Sequence, residues 1–199
     1  MIKNSYPGKF IVIEGLDGSG QSTQVALLKD FLIKQGFEVI TTKEPTQSSE
    51  AGKKIKEILE KKIQSESIQF QKLFAQDRLA HLENTITPAL RQGKTVISDR
   101  YFFSSFAYGT ADGADLEELI KLNNEFLLPD LTFLLKVRPK VCIGRIEKRG
   151  SVKTLFEKQE RLEKVWQVYE KLFSRFKNIK IIDGEKSIEQ VFEQIKSKL

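Results

Sequence analysis

Residues Phe10 to Thr23 read FIVIEGLDGSGQST. The run Phe10-Ile11-Val12-Ile13 is apolar throughout, as in a parallel strand buried on both faces. Glu14 follows, then Gly15, Gly18 and Gly20, then Gln21-Ser22-Thr23 and a helical pattern carried by Val25, Leu27, Leu28, Phe31 and Leu32. A strand that passes through glycines into a helix N-terminus presents a curl of backbone N–H groups suited to a polyphosphate. Gly15, four residues, Gly20, Gln21 and Ser22 match the phosphate-loop spacing except that Gln21 stands where the pattern has Lys. The glycines let main chain approach phosphate closely, and Ser22 offers a hydroxyl to a phosphate-bridging Mg²⁺. The competing reading is a glycine-rich turn that binds nothing. The strand before it and the helix after it favour the loop.

Outward from that stretch, strand and helix patterns alternate, which predicts an α/β fold with a five-stranded parallel sheet flanked by helices. The first helix covers Gln21 to Gln35 and stops at Gly36. Strands are expected at Phe37–Thr42, Thr95–Asp99, Leu131–Val137 and Ile179–Ile182. Helices are expected at Ser49–Lys61, Ile68–Gln92, Ser104–Tyr108, Leu116–Phe126, Val141–Lys148, Leu155–Phe173 and Ser187–Leu199. Pro88 predicts a break in the long helix near Thr87. Ligands of open α/β sheets lie at the carboxyl ends of strands, so the glycine loop, Glu44 and Asp99-Arg100 should share one crevice.

The chain has 199 residues, 40% of them hydrophobic, enough for one core, and a single domain over residues 1–199 is expected. A net charge of +6 fits a positive field that collects small polyanions. With no dense basic run and no basic patch interleaved with aromatics, nucleic acid is not an expected partner. The single cysteine, Cys142, fits a reducing cytoplasm, and its apolar surroundings suggest a buried small residue. Met1–Lys9 lacks the apolar core of a signal peptide, and no run approaches the ~20 apolar residues of a membrane span.

Several residues carry chemistry. Asp99 ends a strand, where a carboxylate can organise a metal, or where it can simply pair with Arg100. Arg100 offers a rigid fork of donors suited to phosphate. Asp17 lies inside the glycine loop, where an acid needs a cation or a hydroxyl as partner. Phe74 and Arg78 are four apart on one helix face, so a ring could stack on a base while the fork donates to its carbonyls. Taken alone, that spacing is better explained by a core Phe74 and a surface-paired Arg78. Asp77 and His81 share the same spacing and could pair, and His81 reads as structural. Tyr101, Phe102, Phe103, Phe106 and Tyr108 form an aromatic cluster, mostly core. Arg145, Lys148, Arg149 and Lys153 surround a Gly-containing gap, either as a solvated face or as a cationic lid.

These stretches together resemble the thymidylate kinase family, of the nucleoside monophosphate kinase group of phosphate-loop proteins. The match runs nearly end to end through FIVIEGLDGSGQSTQ, KEPTQSSEAGKKIKEIL, LFAQDRLAHLENTITPAL, SDRYFFSSFAYG, PDLTFLLKV and RIEKRGSVKTLFE. The resemblance implies transfer of phosphate from ATP to dTMP with Mg²⁺, giving dTDP, in a homodimer. It implies a short helical lid at about 145–156. ATP would be held by Gly15, Leu16, Asp17, Gly18, Ser19, Gly20, Gln21, Ser22 and Thr23, with Arg145 and Arg149. The acceptor would meet Asp17, Glu44, Pro45, Phe74, Arg78, Arg100, Ser105 and Tyr108, with Glu44-Pro45 often joined by a cis peptide. Ser22 and Asp99 would serve the metal. Asp17, Gln21, Arg100, Arg149 and Lys153 would serve the transfer, with the lid supplying the cation because position 18 is Gly. Three departures stand out: Gln21 for Lys, Lys43 where Arg is common, and Gly109 where a polar residue often follows Ala-Tyr. The first leaves open a nucleotide-binding relative with weak turnover, or a kinase for another deoxynucleotide or deoxynucleoside.

Overall fold

The structure, a computed structural model, describes residues 1–60, 62, 63, 65–148 and 155–199, with side chains in all of these but 155–158. The strands are β1 (Ile2–Lys3), β2 (Phe10–Gly15), β3 (Val39–Lys43), β4 (Thr95–Asp99), β5 (Leu127–Leu128), β6 (Leu131–Lys136) and β7 (Ile179–Asp183). The α-helices are α1 (Gln21–Lys34), α2 (Glu50–Leu59), α3 (Ser67–His81), α4 (Thr87–Arg91), α5 (Phe102–Ala111), α6 (Leu116–Leu122), α7 (Pro139–Glu147), α8 (Leu155–Arg175) and α9 (Ile188–Lys196).

The expected five-stranded sheet is present in the order β3-β4-β2-β6-β7, and every neighbouring pair is parallel. β2 lies in the middle because its residues are apolar in both directions. Phe10 and Val12 join Phe102, Phe106, Val165 and Leu172 on the α5/α8 face. Ile11 and Ile13 join Val25, Leu28, Val191 and Ile195 on the α1/α9 face. Register then aligns the carboxyl ends: Ile13 and Lys43 both lie opposite Asp99. Cys142 is buried, as its surroundings suggested, and burial pushes its thiol up to about 12.

Three boundaries differ for identifiable reasons. Phe37 belongs to the end of α1 rather than to β3: its N–H donates to Leu32 O at 3.1 Å and that of Gly36 to Ile33 O at 2.9 Å, a Schellman closure. Gly36 takes the left-handed φ of 87° that this closure needs. The long helix is interrupted before Pro88 by a π-helical turn, Leu82–Ile86, and resumes at Thr87. Proline has no N–H and crowds the carbonyl four residues back, and a wider turn relieves both constraints. α6 ends at Leu122, and Leu127–Leu128 instead pairs with Ile2–Lys3 as a separate two-stranded parallel sheet that the sequence did not predict. Residues 149–154, with Arg149, Lys153 and half of the expected lid, lie outside the described residues.

Candidate active site

The glycine loop leaves β2 and enters α1 at Gly20, whose φ of 102° closes the turn with no side-chain cap on the helix. The first N–H groups of α1 are therefore left for a ligand, and the helix dipole favours an anion there. At Gly18, a Cβ would lie 2.6 Å from Cys142 O, so the close approach of α7 excludes any side chain. Leu16 turns into the core. Asp17, Gly18, Gly20, Gln21, Ser22 and Thr23 line a polar cavity of about 160 Å³, closed on the far side by Lys43, Asp99 and Arg100. In it, Ser22 Oγ donates to Asp99 Oδ2 at 2.6 Å, and Lys43 Nζ stands 3.6 Å from the same oxygen. Asp99 thus does not need Arg100 as its partner.

Arg100 faces the opposite way. Its φ is +74°, the left-handed region, which costs a non-glycine residue about 1–3 kcal/mol and is retained only where surroundings impose it. Its N–H donates to Ile13 O at 3.0 Å, and Ser98 Oγ donates to its carbonyl at 2.6 Å. The guanidinium donates to Asp17 Oδ1 (2.7 Å), Ser104 Oγ (2.8 Å), Gly15 O (2.9 Å) and Gln21 Oε1 (3.2 Å). It lies over the Tyr108 ring at 5.3 Å, and the Tyr108 hydroxyl accepts from Asp17 N at 3.0 Å. Gln21 completes the circuit by donating to Gly15 O at 3.2 Å.

Beneath Arg100 sits Glu14, which the sequence reading passed over. Its carboxylate accepts from Tyr101 N (2.9 Å), Ser104 N (3.2 Å), Ser104 Oγ (2.6 Å) and the Tyr169 hydroxyl (3.0 Å). Burial raises its pKa above the usual 4.5, against the lowering effect of the Arg100 charge and these hydrogen bonds. One carboxylate thereby ties the end of β2, the start of α5 and the middle of α8 to the turn that aims Arg100. A charge inside an otherwise apolar strand was the available signal.

The second cavity, about 250 Å³, lies on the far side of Arg100. Asp17, Glu44, Pro45, Phe74, Arg78, Arg100, Ser105 and Tyr108, the eight expected acceptor residues, all line it. The Glu44–Pro45 peptide is cis. Phe74 is half-buried at the wall rather than in the core. Arg78 is not a surface residue: it is 1% exposed, its Nε and Nη2 meet the Glu44 carboxylate at 2.8 and 2.7 Å, and Nη1 donates to Asn123 Oδ1 at 2.6 Å. Its Nη2 also donates to Ser105 Oγ at 3.1 Å. Glu44 is therefore committed to orienting Arg78. The Asp77–His81 pair is not formed. Asp77 accepts from Thr46 and Ser49, and His81 contacts Glu44 at 3.1 Å and Thr42 at 2.5 Å. Both read as structural. Arg161 also reaches the cavity, paired twice at 2.7 Å with Asp112 and lying 5.4 Å from the Tyr108 ring, a placement with no signal in the sequence.

A third cavity, also about 250 Å³, opens behind the loop between Ser19, Thr23 and Gln24 on one side and Arg145, Gly184 and Ile188 on the other. Arg145 bridges its walls by donating to Ser19 O at 3.2 Å and Gly184 O at 3.0 Å.

Asp17, Lys43 and Arg100 line both of the first two cavities, so an anion in one and an anion in the other would meet there. The chain is similar to known proteins over nearly its whole length. The family model described as thymidylate kinase matches residues 13–195. A probable thymidylate kinase of Thermococcus gammatolerans is 45% identical over 197 residues, covering 94% of each chain. One of Pyrococcus horikoshii is 44% identical over 194 residues, again 94% of each. A thymidylate kinase of Caldicellulosiruptor saccharolyticus is 35% identical over 195 residues, covering 95% of this chain and 94% of its own. With the family's model matched across nearly all of its length, and its relatives aligned to it throughout, this chain belongs to the thymidylate kinase family.

Proposed function

We propose that the protein transfers the terminal phosphoryl group of ATP to dTMP, giving dTDP and ADP. The observation that carries this reading is the junction of the loop cavity and the Phe74–Arg78 cavity at Asp17, Lys43 and Arg100. ATP phosphates lie on the amides of Gly18 to Thr23, with the nucleoside end towards Arg145 in the third cavity. The phosphate of dTMP meets Arg100, Phe74 stacks on its base, Arg78 and Ser105 face the base edge, and Tyr108 walls the sugar. Phosphoryl transfer asks little covalent chemistry of a protein, so the residues act by alignment and by stabilising charge. Arg100 is held in place by Asp17 and Ser104; its four Nη hydrogens lie on Gly15 O, Ser104 Oγ, Asp17 and Gln21, so a phosphate is received at Nε or in exchange for Asp17 or Gln21.

Ser22 Oγ and Asp99 Oδ2, 2.6 Å apart, are hard oxygen ligands at the edge of the phosphate cavity. They fit Mg²⁺, which favours one or two protein oxygens and completes its shell with phosphate and water. Bound there, the ion would neutralise charge on the transferred group. Arg149 and Lys153 as lid cations rest on the charge run around Gly150 and on the resemblance, the lid bounds of about 145–156 on the resemblance, and the single domain on chain length and composition. The resemblance also supports a homodimer, and Leu79, 48% exposed on α3, belongs to the apolar surface such an interface would cover. Among the described residues, no helix is long and apolar enough to cross a membrane. We place the enzyme in the cytoplasm, where its single cysteine stays reduced.

Purified protein with ATP, Mg²⁺ and dTMP should accumulate dTDP, followed by ³¹P NMR or chromatography. No dTDP above an enzyme-free blank would overturn the assignment.

A further inference from the structure

Gln71 was not among the residues singled out in the sequence. It lies three residues before Phe74 and seven before Arg78, so all three share one face of α3. Gln71 is 3% exposed, lines the acceptor cavity, and its Oε1 is buried without a hydrogen-bond partner. A buried carboxamide is normally satisfied, and one left open at a cavity wall calls for a partner. Four of the five unpartnered buried polar atoms among the described residues are on residues lining the ligand cavities: Gln71 Oε1 and the Tyr101 hydroxyl here, Ser19 Oγ and Gln24 Oε1 behind the loop.

The opposite wall makes room for it. A Cβ at Gly109, one residue past Tyr108 on α5, would lie 2.8 Å from Leu119 Cδ1, 2.9 Å from Gln71 Cγ and 3.0 Å from Gln71 Cδ. The unusual glycine and the glutamine are thus complementary: a carboxamide reaches in from α3 where α5 contributes no side chain.

We propose that Gln71 contacts the acceptor base, its Oε1 accepting the ring N–H of a 2,4-dioxopyrimidine. The proposal rests on the acceptor cavity receiving the base, as above. A dioxopyrimidine presents N–H beside C=O, and a guanidinium can serve only the carbonyl because it has no acceptor. Arg78, held by Glu44, Asn123 and Ser105, supplies the donor; Gln71 supplies the acceptor. A ring nitrogen without hydrogen, as in a cytosine, leaves Oε1 unpartnered and facing a lone pair. Sites built around a buried hydrogen bond reject analogues that cannot make it.

The test compares kcat/KM for dTMP and for 5-methyl-dCMP, which share sugar, phosphate and 5-methyl group, in wild type and Gln71→Leu. The expected result is that the preference for dTMP falls about tenfold or more in the variant, through KM for the acceptor, while KM for ATP stays put. A merely structural Gln71 would affect both acceptors alike. Gly109→Ala, which pushes on Gln71, should lower the same ratio. In unsubstituted protein, the Gln71 side-chain amide ¹⁵N resonance should move when dTMP binds. A ratio within twofold of wild type in Gln71→Leu, or an amide resonance unmoved by saturating dTMP, overturns the assignment of Gln71. Wild-type protein that makes no dTDP would instead overturn the function itself.

Discussion

Replacing Gln21 with Lys restores the charge that the loop pattern carries, and the structure predicts opposite effects with and without nucleotide. In the free protein Gln21 is buried, donates to Gly15 O and accepts from Arg100 Nη2, both at 3.2 Å. A lysine keeps the donor but removes the acceptor, and sets an ammonium against the guanidinium. Two like charges about 4 Å apart repel by ~1 kcal/mol under full aqueous screening and ~4 kcal/mol at the effective dielectric of a protein surface. Asp17, 2.7 Å from the same guanidinium nitrogen, offsets part of this. A net loss of about 1–2 kcal/mol corresponds to a Tm lower by roughly 2–8 °C in a protein of this size. With ATP and Mg²⁺ the added cation faces phosphate, so the nucleotide-induced rise in Tm should be larger in Gln21→Lys than in wild type. Thermal denaturation with and without ATP·Mg²⁺ measures both. An unchanged or raised Tm in nucleotide-free Gln21→Lys would refute the claim that Gln21 is an acceptor for Arg100.

Other substitutions test the surrounding parts. Glu14 holds its proton more tightly folded than unfolded, because burial outweighs its partners. Its contribution to stability is therefore whole at low pH and is lost as pH rises from the unfolded value near 4.5 through the higher folded value. Denaturant titrations across that window should show the wild type losing stability relative to Glu14→Gln, and a pH-independent gap between the two would contradict the sign. Arg100→Ala should lower kcat/KM for dTMP by roughly 10²–10³, the usual cost of one donor aimed at developing charge; steady-state kinetics would expose an undiminished enzyme. Phe74→Ala should weaken dTMP by about 1–3 kcal/mol, the value of stacking one base on a ring, while leaving ATP affinity in place. Calorimetric titration of each nucleotide separates those effects.

How much of this could be read in advance follows from the range of the interactions. The loop was legible because its strand, glycines and helix are contiguous, so local spacing alone brings Gly15 to Thr23 together. Phe74 and Arg78 were legible as neighbours but not in their roles: spacing cannot say that Arg78 is buried, since Glu44 and Asn123, which hold it, come from distant segments. The Asp77–His81 pair failed for the same reason, as Thr46, Ser49, Thr42 and Glu44 offered each residue a nearer partner. Glu14 gave a signal, one carboxylate in an apolar strand, but its four donors come from residues 101, 104 and 169. The two-residue strands β1 and β5 are too short for any periodicity. Arg161 reaches the cavity only through the way α8 packs on α5, and nothing local marks it; Gln71 shares the helix face of Phe74 and Arg78, but its burial and its unpartnered oxygen come from the packing around α3.

In the mechanism proposed above, two nucleotides meet end to end across Arg100. A crystal structure with dTMP and a non-hydrolysable ATP analogue tests it most directly. A dTMP phosphate oxygen is expected within hydrogen-bond distance, ~2.7–3.2 Å, of the Arg100 guanidinium, and the triphosphate on the amides of Gly18 to Thr23. A dTMP phosphate out of reach of Arg100, or a triphosphate bound away from the glycine loop, would contradict it.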